Sequence, residues 1–374
     1  MAKDHFVPRH YLRQFTINKS ENIVVANISP YRFMGVKGIG GQCQETDFYE
    51  NDEALEKVLW TAENDLAPVL KRVSDKADFT EPELVALKSL AAHLHFRTKK
   101  TAEAYKFFQK RIFYEVIKNA IDVGQLPPPP EGKWTEEMVD CKGVSGFLIK
   151  DVISCSMEMQ TLASKLIKAE DGASFVTSDN PVIILNQFCA NAEPHHGFAG
   201  FNKSGFQLLL PISPKLCLLV YDAKIYKVGS PRRRLVEISN ADVEIVNALQ
   251  IQSAENFIYF HETKLEQEVQ SLIERFRSSR IPVEDLFRLA QANNKNEELM
   301  HFRTSTVKLP KIWSCCSLRR HIKFLPGDRR NPAWSALVEE LEADFRQNLT
   351  DEDIFSRLQR IIADPHSLKN IQVR

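Results

Sequence analysis

The chain has 374 residues, 43% apolar and 26% charged, which excludes a disordered polymer and leaves room for one large core or two moderate ones. Its 49 Lys plus Arg balance 49 Asp plus Glu, so there is no bulk basic field, and a nucleic-acid or nucleotide partner would need a local patch. Seven cysteines, at 43, 141, 155, 189, 217, 315 and 316, form no C-x-x-C pair, and neither a signal-type apolar run nor about 18 consecutive apolar residues occurs, so reduced thiols in the cytoplasm and no membrane partner are expected.

In chain order, Ile23–Ile28 is short, β-branched and bounded by Asn, Ser and Pro, which predicts a strand. Asp52 to Ser74 carries Leu55, Val58, Leu59, Ala62, Leu66, Val69 and Leu70 at helical spacing. Thr80-Glu81-Pro82-Glu83 is a capping box, opening a helix or helix pair that runs to about Asp122. Its inward stripe would be Leu84, Leu87, Leu90, Ala91 and Leu94, then Tyr105, Phe108, Ile112 and Val116. Pro127 to Pro130 reads as a stiff connector, and a third helical region as the span from Thr135 to Ala169.

The texture changes at Gly172. Phe175–Thr177, Val182–Leu185, Gln207–Leu210 and Leu216–Tyr221 are strand-like, and Ser239 caps a helix to about Ser253 before Phe257–Phe260 closes the sheet. Beyond Ser278 only helical pieces such as 333–347 and 351–362 stand out. The fold class is therefore α+β, with long helices packed on a mostly antiparallel sheet formed by residues 174–260. The division is an α+β domain over 1–278 and a helical extension over 279–374.

No phosphate loop, G-x-G-x-x-G, H-E-x-x-H or G-x-S-x-G signature is present, and Gly38, Gly40 and Gly41 precede no helix N-terminus. The candidates are single residues. Asp179 and Asn180 lie between two strand-like runs; they would hold a metal, a ribose or a basic group, or simply form an Asx-turn before Pro181. His5 has no apolar role in its segment and suits acid–base work, metal ligation or a backbone bond. Arg97, in a helix of Leu and Ala, calls for a carboxylate partner or an anionic ligand. His93 shares its face, whereas His95 is expected at the surface. Glu63 is an acid or a solvated helix charge. His195-His196 and Arg232-Arg233-Arg234 read more simply as loops.

Two segments, His5-Phe6-Val7-Pro8-Arg9-His10-Tyr11-Leu12-Arg13-Gln14-Phe15 and Ser178-Asp179-Asn180-Pro181, together resemble the domain-of-unknown-function 4238 family. That resemblance spans roughly residues 3 to 277 and weights Asp179 and Asn180 toward function. It loosely implies an accessory bacterial protein of phage-defence type. Two readings follow. In one, His5, Glu63, Arg97, Asp179 and Asn180 form a catalytic kit for a phosphoester hydrolase or nuclease, with a divalent metal allowed. In the other, they form a buried polar network in a non-catalytic binding or structural module. Exposure discriminates the two, because catalytic groups must line a pocket. The shared-site reading also expects His5, Arg97 and Asp179 to converge, with Arg97 ion-paired to Asp179.

Overall fold

Apolar residues of both parities fill the strand-like runs around residues 207–221, so those strands need cover on both faces. The computed structural model describes residues 3–49, 53–127, 135, 144–189, 200–280, 287–291, 298–302, 315–323, 325 and 328–348. The N-terminal part forms β1 (Lys3–His5), α1 (Arg9–Leu12), β2 (Asn22–Ile28), β3 (Tyr31–Gly38) and β4 (Gln44–Thr46). Helices follow: α2 (Glu53–Lys76), α3 (Glu81–Phe96), α4 (Lys99–Asp122) and α5 (Val144–Gln160). The capping box at Thr80 and Glu83 forms at the start of α3 as its sequence requires.

Next come β5 (Ala163–Ala169), β6 (Thr177–Ser178), β7 (Ile183–Leu185), β8 (Gln207–Ser213), β9 (Leu216–Tyr221), β10 (Tyr226–Val228) and β11 (Leu235–Ile238). Helix α6 (Asn240–Ser253), β12 (Phe257–Phe260) and α7 (Glu266–Phe276) complete this part. The remainder contributes β13 (Phe287–Gln291), β14 (Glu298–Phe302), β15 (Cys316–Leu318) and α8 (Pro332–Asn348).

The architecture is α+β and mostly antiparallel, but two sheets share the strands expected in one. A five-stranded sheet has the order β11-β5-β9-β8-β7, parallel only at β11–β5. A four-stranded sheet, β3-β2-β12-β6, is antiparallel throughout. Phe257–Phe260 therefore closes the second sheet and not the first. The pleat explains the continuous apolar run in β8: Leu208 and Leu210 enter the core that also holds Tyr11, Phe15 and Leu90. Leu209 points the other way, against Val243, Val246 and Leu249 of α6. In β2, Val24 and Ala26 share a third core with Ile273 of α7, while Ile23 and Val25 face the first.

The helix expected to reach Ala169 stops at Gln160, and residues 163–169 are the second strand of the five-stranded sheet. Leu162, Leu166 and Ala169 mimic helical spacing. In fact Leu166 faces the first core, and Ile167 and Ala169 face the second, as a two-sided strand demands. Val116 is 58% exposed and leaves the predicted inward stripe, of which Tyr105 and Phe108 are partly buried. The expected extension is not helical alone. Strand β15 pairs with β10, β13 pairs with β14, and Arg330 is buried against Glu158 of α5. Residues 128–130, His195, His196 and 351–362 lie outside the described residues.

Candidate functional site

The α3–α4 corner is where the candidate residues meet. Helix α3 ends at Phe96, and Thr98 caps α4 by accepting from the Thr101 amide. Four consecutive residues there, Arg97 to Lys100, each reach a different part of the chain.

Arg97 Nε donates to Tyr49 Oη at 3.1 Å. Its Nη1 reaches Glu63 Oε1 at 2.5 Å and His93 Nε2 at 2.8 Å, and its Nη2 donates to the His5 carbonyl at 2.5 Å. Thr98 Oγ1 donates to Asn180 Oδ1 at 3.0 Å. Lys99 pairs with Glu45 at 2.8 Å, and Lys100 Nζ donates to the Ser253 carbonyl at 2.9 Å.

The second half of the network surrounds the chain reversal from α6 into β12. A helix end followed by a turn leaves amides and carbonyls without ladder partners, and buried ones must be satisfied by side chains. Asp179 supplies the acceptors: Oδ1 takes the Glu255 amide at 2.8 Å, and Oδ2 takes those of Asn256 and Phe257 at 2.7 and 3.0 Å. Asn180 Nδ2 donates to the Ser253 carbonyl and hydroxyl at 2.9 and 3.0 Å. Arg280 donates to the carbonyls of Ala254, at 3.1 Å, and Glu255.

The expected Arg97–Asp179 ion pair does not form. Arg97 takes Glu63 as its carboxylate, because the α2 side chain faces the corner, whereas Asp179 faces amides. The two meet indirectly, through Thr98 and Asn180. His5 does join Arg97, by its backbone carbonyl and not by its ring. The ring lies 3.3 Å, through Nε2, from the Gly40 carbonyl. Nor is His95 a surface residue: it packs edge-on against Phe96, with centroids 4.8 Å apart, and beside Phe201.

Exposure is 5% for Arg97 and 4% for both Asp179 and Asn180. Glu63 retains 27% of its side-chain surface and His5 is half-buried. Burial alone would raise the Glu63 carboxyl, but bonds from His10 and Arg97 overcome it and hold the group at about 2. Burial lowers His5 below its usual value and drives His93, beside the Arg97 charge, down to about 3. Asp179 is raised by burial, against the pull of its three amides. Burial, then the Arg280 charge, brings Lys100 down to about 8. Glu255 goes up to about 7 through burial and the neighbouring Asp179 and Glu103 carboxylates.

Among the described residues no three His, Cys, Asp or Glu side chains are grouped to hold a metal ion. Asp179 and Asn180 fit one poorly, since their oxygens already accept amides and a hydroxyl. Tyr49, Thr98, Lys100, Ser253 and Arg280 escaped sequence reasoning. Thr98 alone carried a signal, as an N-cap residue ahead of a helical run.

A family model described as "Protein of unknown function (DUF4238)" matches residues 3–264, and the chain belongs to that family. No curated protein and no solved structure matches it.

Proposed function

We propose that this DUF4238 member works by non-catalytic contact with a partner in the cytosol, and that His5, Glu63, Arg97, Asp179 and Asn180 are its internal lock. One observation carries the reading: Arg97, Asp179 and Asn180 are 4–5% exposed, and their polar atoms bond to other parts of the chain. A general base acts best with a pKa near the working pH and within reach of the substrate. A carboxylate held at about 2, as Glu63 is, is a weak base at neutral pH. Among the described residues no helix is long and apolar enough to cross a membrane.

The phosphoester hydrolase or nuclease reading, with its phage-defence setting, rests on a narrower observation. His5 has a half-buried ring kept neutral by burial, and Glu63 lies partly open beside the same Arg97. Asp179→Ala and Asp179→Asn separate the readings, with urea unfolding followed by circular dichroism and cleavage of a phosphodiester followed with Mg²⁺ or Mn²⁺. On the lock reading Asp179→Ala strands three amides and costs about 3 kcal/mol or more, and Asn, keeping one acceptor, costs less. Wild-type cleavage that His5→Gln abolishes without loss of stability overturns the lock reading.

A further inference from the structure

The zero net charge hides a local excess on one face. Strand β15 pairs Leu318 with Tyr226 and Cys316 with Val228, and the chain that follows is tied down at several points. The Arg319 amide donates to the Ile225 carbonyl at 2.9 Å, and its Nε to that of Ala223 at 2.7 Å. Lys224 Nζ reaches the Arg330 carbonyl at 3.3 Å, and Arg329 forms a β-bridge with Lys203. Gly205 fixes the adjoining loop: its φ is +82°, and a Cβ there would lie 2.6 Å from Phe188 Cβ. Beneath the segment, Arg330 is 3% exposed and bonded to Glu158.

Three chain segments thus bring Lys203, Lys224, Arg319, Arg320, Lys323 and Arg329 together. Among the described residues the nearby acids leave Arg319, Arg320 and Lys323 unneutralised. Asp222 is 2% exposed and accepts the Gly205 and Lys224 amides. Asp328 accepts the Leu325 amide, and Glu339 pairs with Arg329 at 2.9 Å. Arg319, Arg320 and Lys323 are exposed and have no carboxylate within ion-pair distance among the described residues.

We propose that this face binds the phosphate backbone of a nucleic acid. Guanidinium forks match phosphate oxygens, and exposed cations repeated along one tied-down segment, Arg319 to Lys323, suit a repeating polyanion. Leu318 and Leu325 are exposed on the same segment. A lipid surface fits less well, because the basic residues here are not borne on an amphipathic helix with an apolar face to insert. Most of the face lies after residue 264, beyond the part matched to the family, so it is an addition to the domain that carries the lock.

The test is fluorescence anisotropy of the full chain with labelled single-stranded and duplex oligonucleotides of about 20 nucleotides, at about 50 and 200 mM salt. With about four phosphates contacted, affinity should fall by about 10²-fold across that salt range. Arg320→Ala/Lys323→Ala should flatten the logarithmic salt slope by about two and weaken all sequences alike. Arg232→Ala/Arg233→Ala, in an exposed basic run elsewhere, should change neither. The proposal is overturned by absence of wild-type binding at the lower salt, by an unchanged slope in the first variant, or by binding to phosphatidylserine vesicles with none to nucleic acid.

Discussion

Replacing Arg97 with Met removes the guanidinium and keeps most of the buried volume, which makes it a direct measure of the lock. The substitution removes the guanidinium donors from Glu63, the Tyr49 hydroxyl and the His5 carbonyl, leaving Glu63 with His10 at 3.6 Å and the Tyr49 hydroxyl donating to the His5 carbonyl at 3.3 Å. Two routes bear on its size. Removing one member of a buried ion pair costs about 3–5 kcal/mol. Glu63 moves from an ordinary value of 4.5 to about 2 on folding under His10 and Arg97 together, which at 1.36 kcal/mol per pH unit sets an upper bound of about 3 kcal/mol on the share of Arg97 in that shift. The sign follows from the direction: a depressed folded pKa contributes stability above pH 4.5 that is lost as pH falls through about 2. Urea unfolding should therefore show Arg97→Met destabilised by about 3 kcal/mol at pH 7, with the gap to wild type shrinking in acid as Glu63 protonates. A loss under about 1 kcal/mol at pH 7, or a gap indifferent to pH, would refute the assignment of Arg97 to the lock.

Two further outcomes follow from the same network. Glu255 is raised to about 7, so its contribution is full below pH 4.5 and lost as pH rises through 7; Glu255→Gln should stabilise the protein by about 1–2 kcal/mol at pH 8, after allowance for its partial exposure, and change little at pH 4.5 in the same urea assay. Arg330→Met strands Glu158, whose side chain is 8% exposed, and should cost about 3–5 kcal/mol by urea unfolding and open the α5–α8 contact to limited proteolysis, whereas an unaltered cleavage pattern would mean the segment after residue 278 is independent.

Most elements could be read from the sequence because their signals are local. The capping box at Thr80, the cap at Ser239 and the paired runs of β8 and β9 form where spacing and turn chemistry put them. The error at residues 161–169 has one physical source. A strand buried on both faces loses its alternation, and Leu162, Leu166 and Ala169 then satisfy helical spacing by coincidence. The assignment of strands to sheets was not legible either, because β12 pairs with β2 across more than two hundred residues and no local term selects that partner.

The site was legible in part, and the reason bears on function. His5, Arg97 and Asp179 stood out because no local pattern required a polar group at those positions, while Asn180 entered with the Ser178–Pro181 motif and Glu63 only as one acid on a helix face. A polar residue without a local reason has a long-range one, which is either a ligand or another part of the chain. Sequence identifies the residue but not its partner, since the partners here are mainly backbone groups: the carbonyls of His5 and Ser253 and the amides of residues 255–257. Any residue type can offer those groups, so they leave no signature. Saturation by such partners weighs toward a lock. Asp179 illustrates the step, with a carboxylate that accepts three amides and has no remaining geometry in which a substrate could replace them without unfolding the α6–β12 reversal.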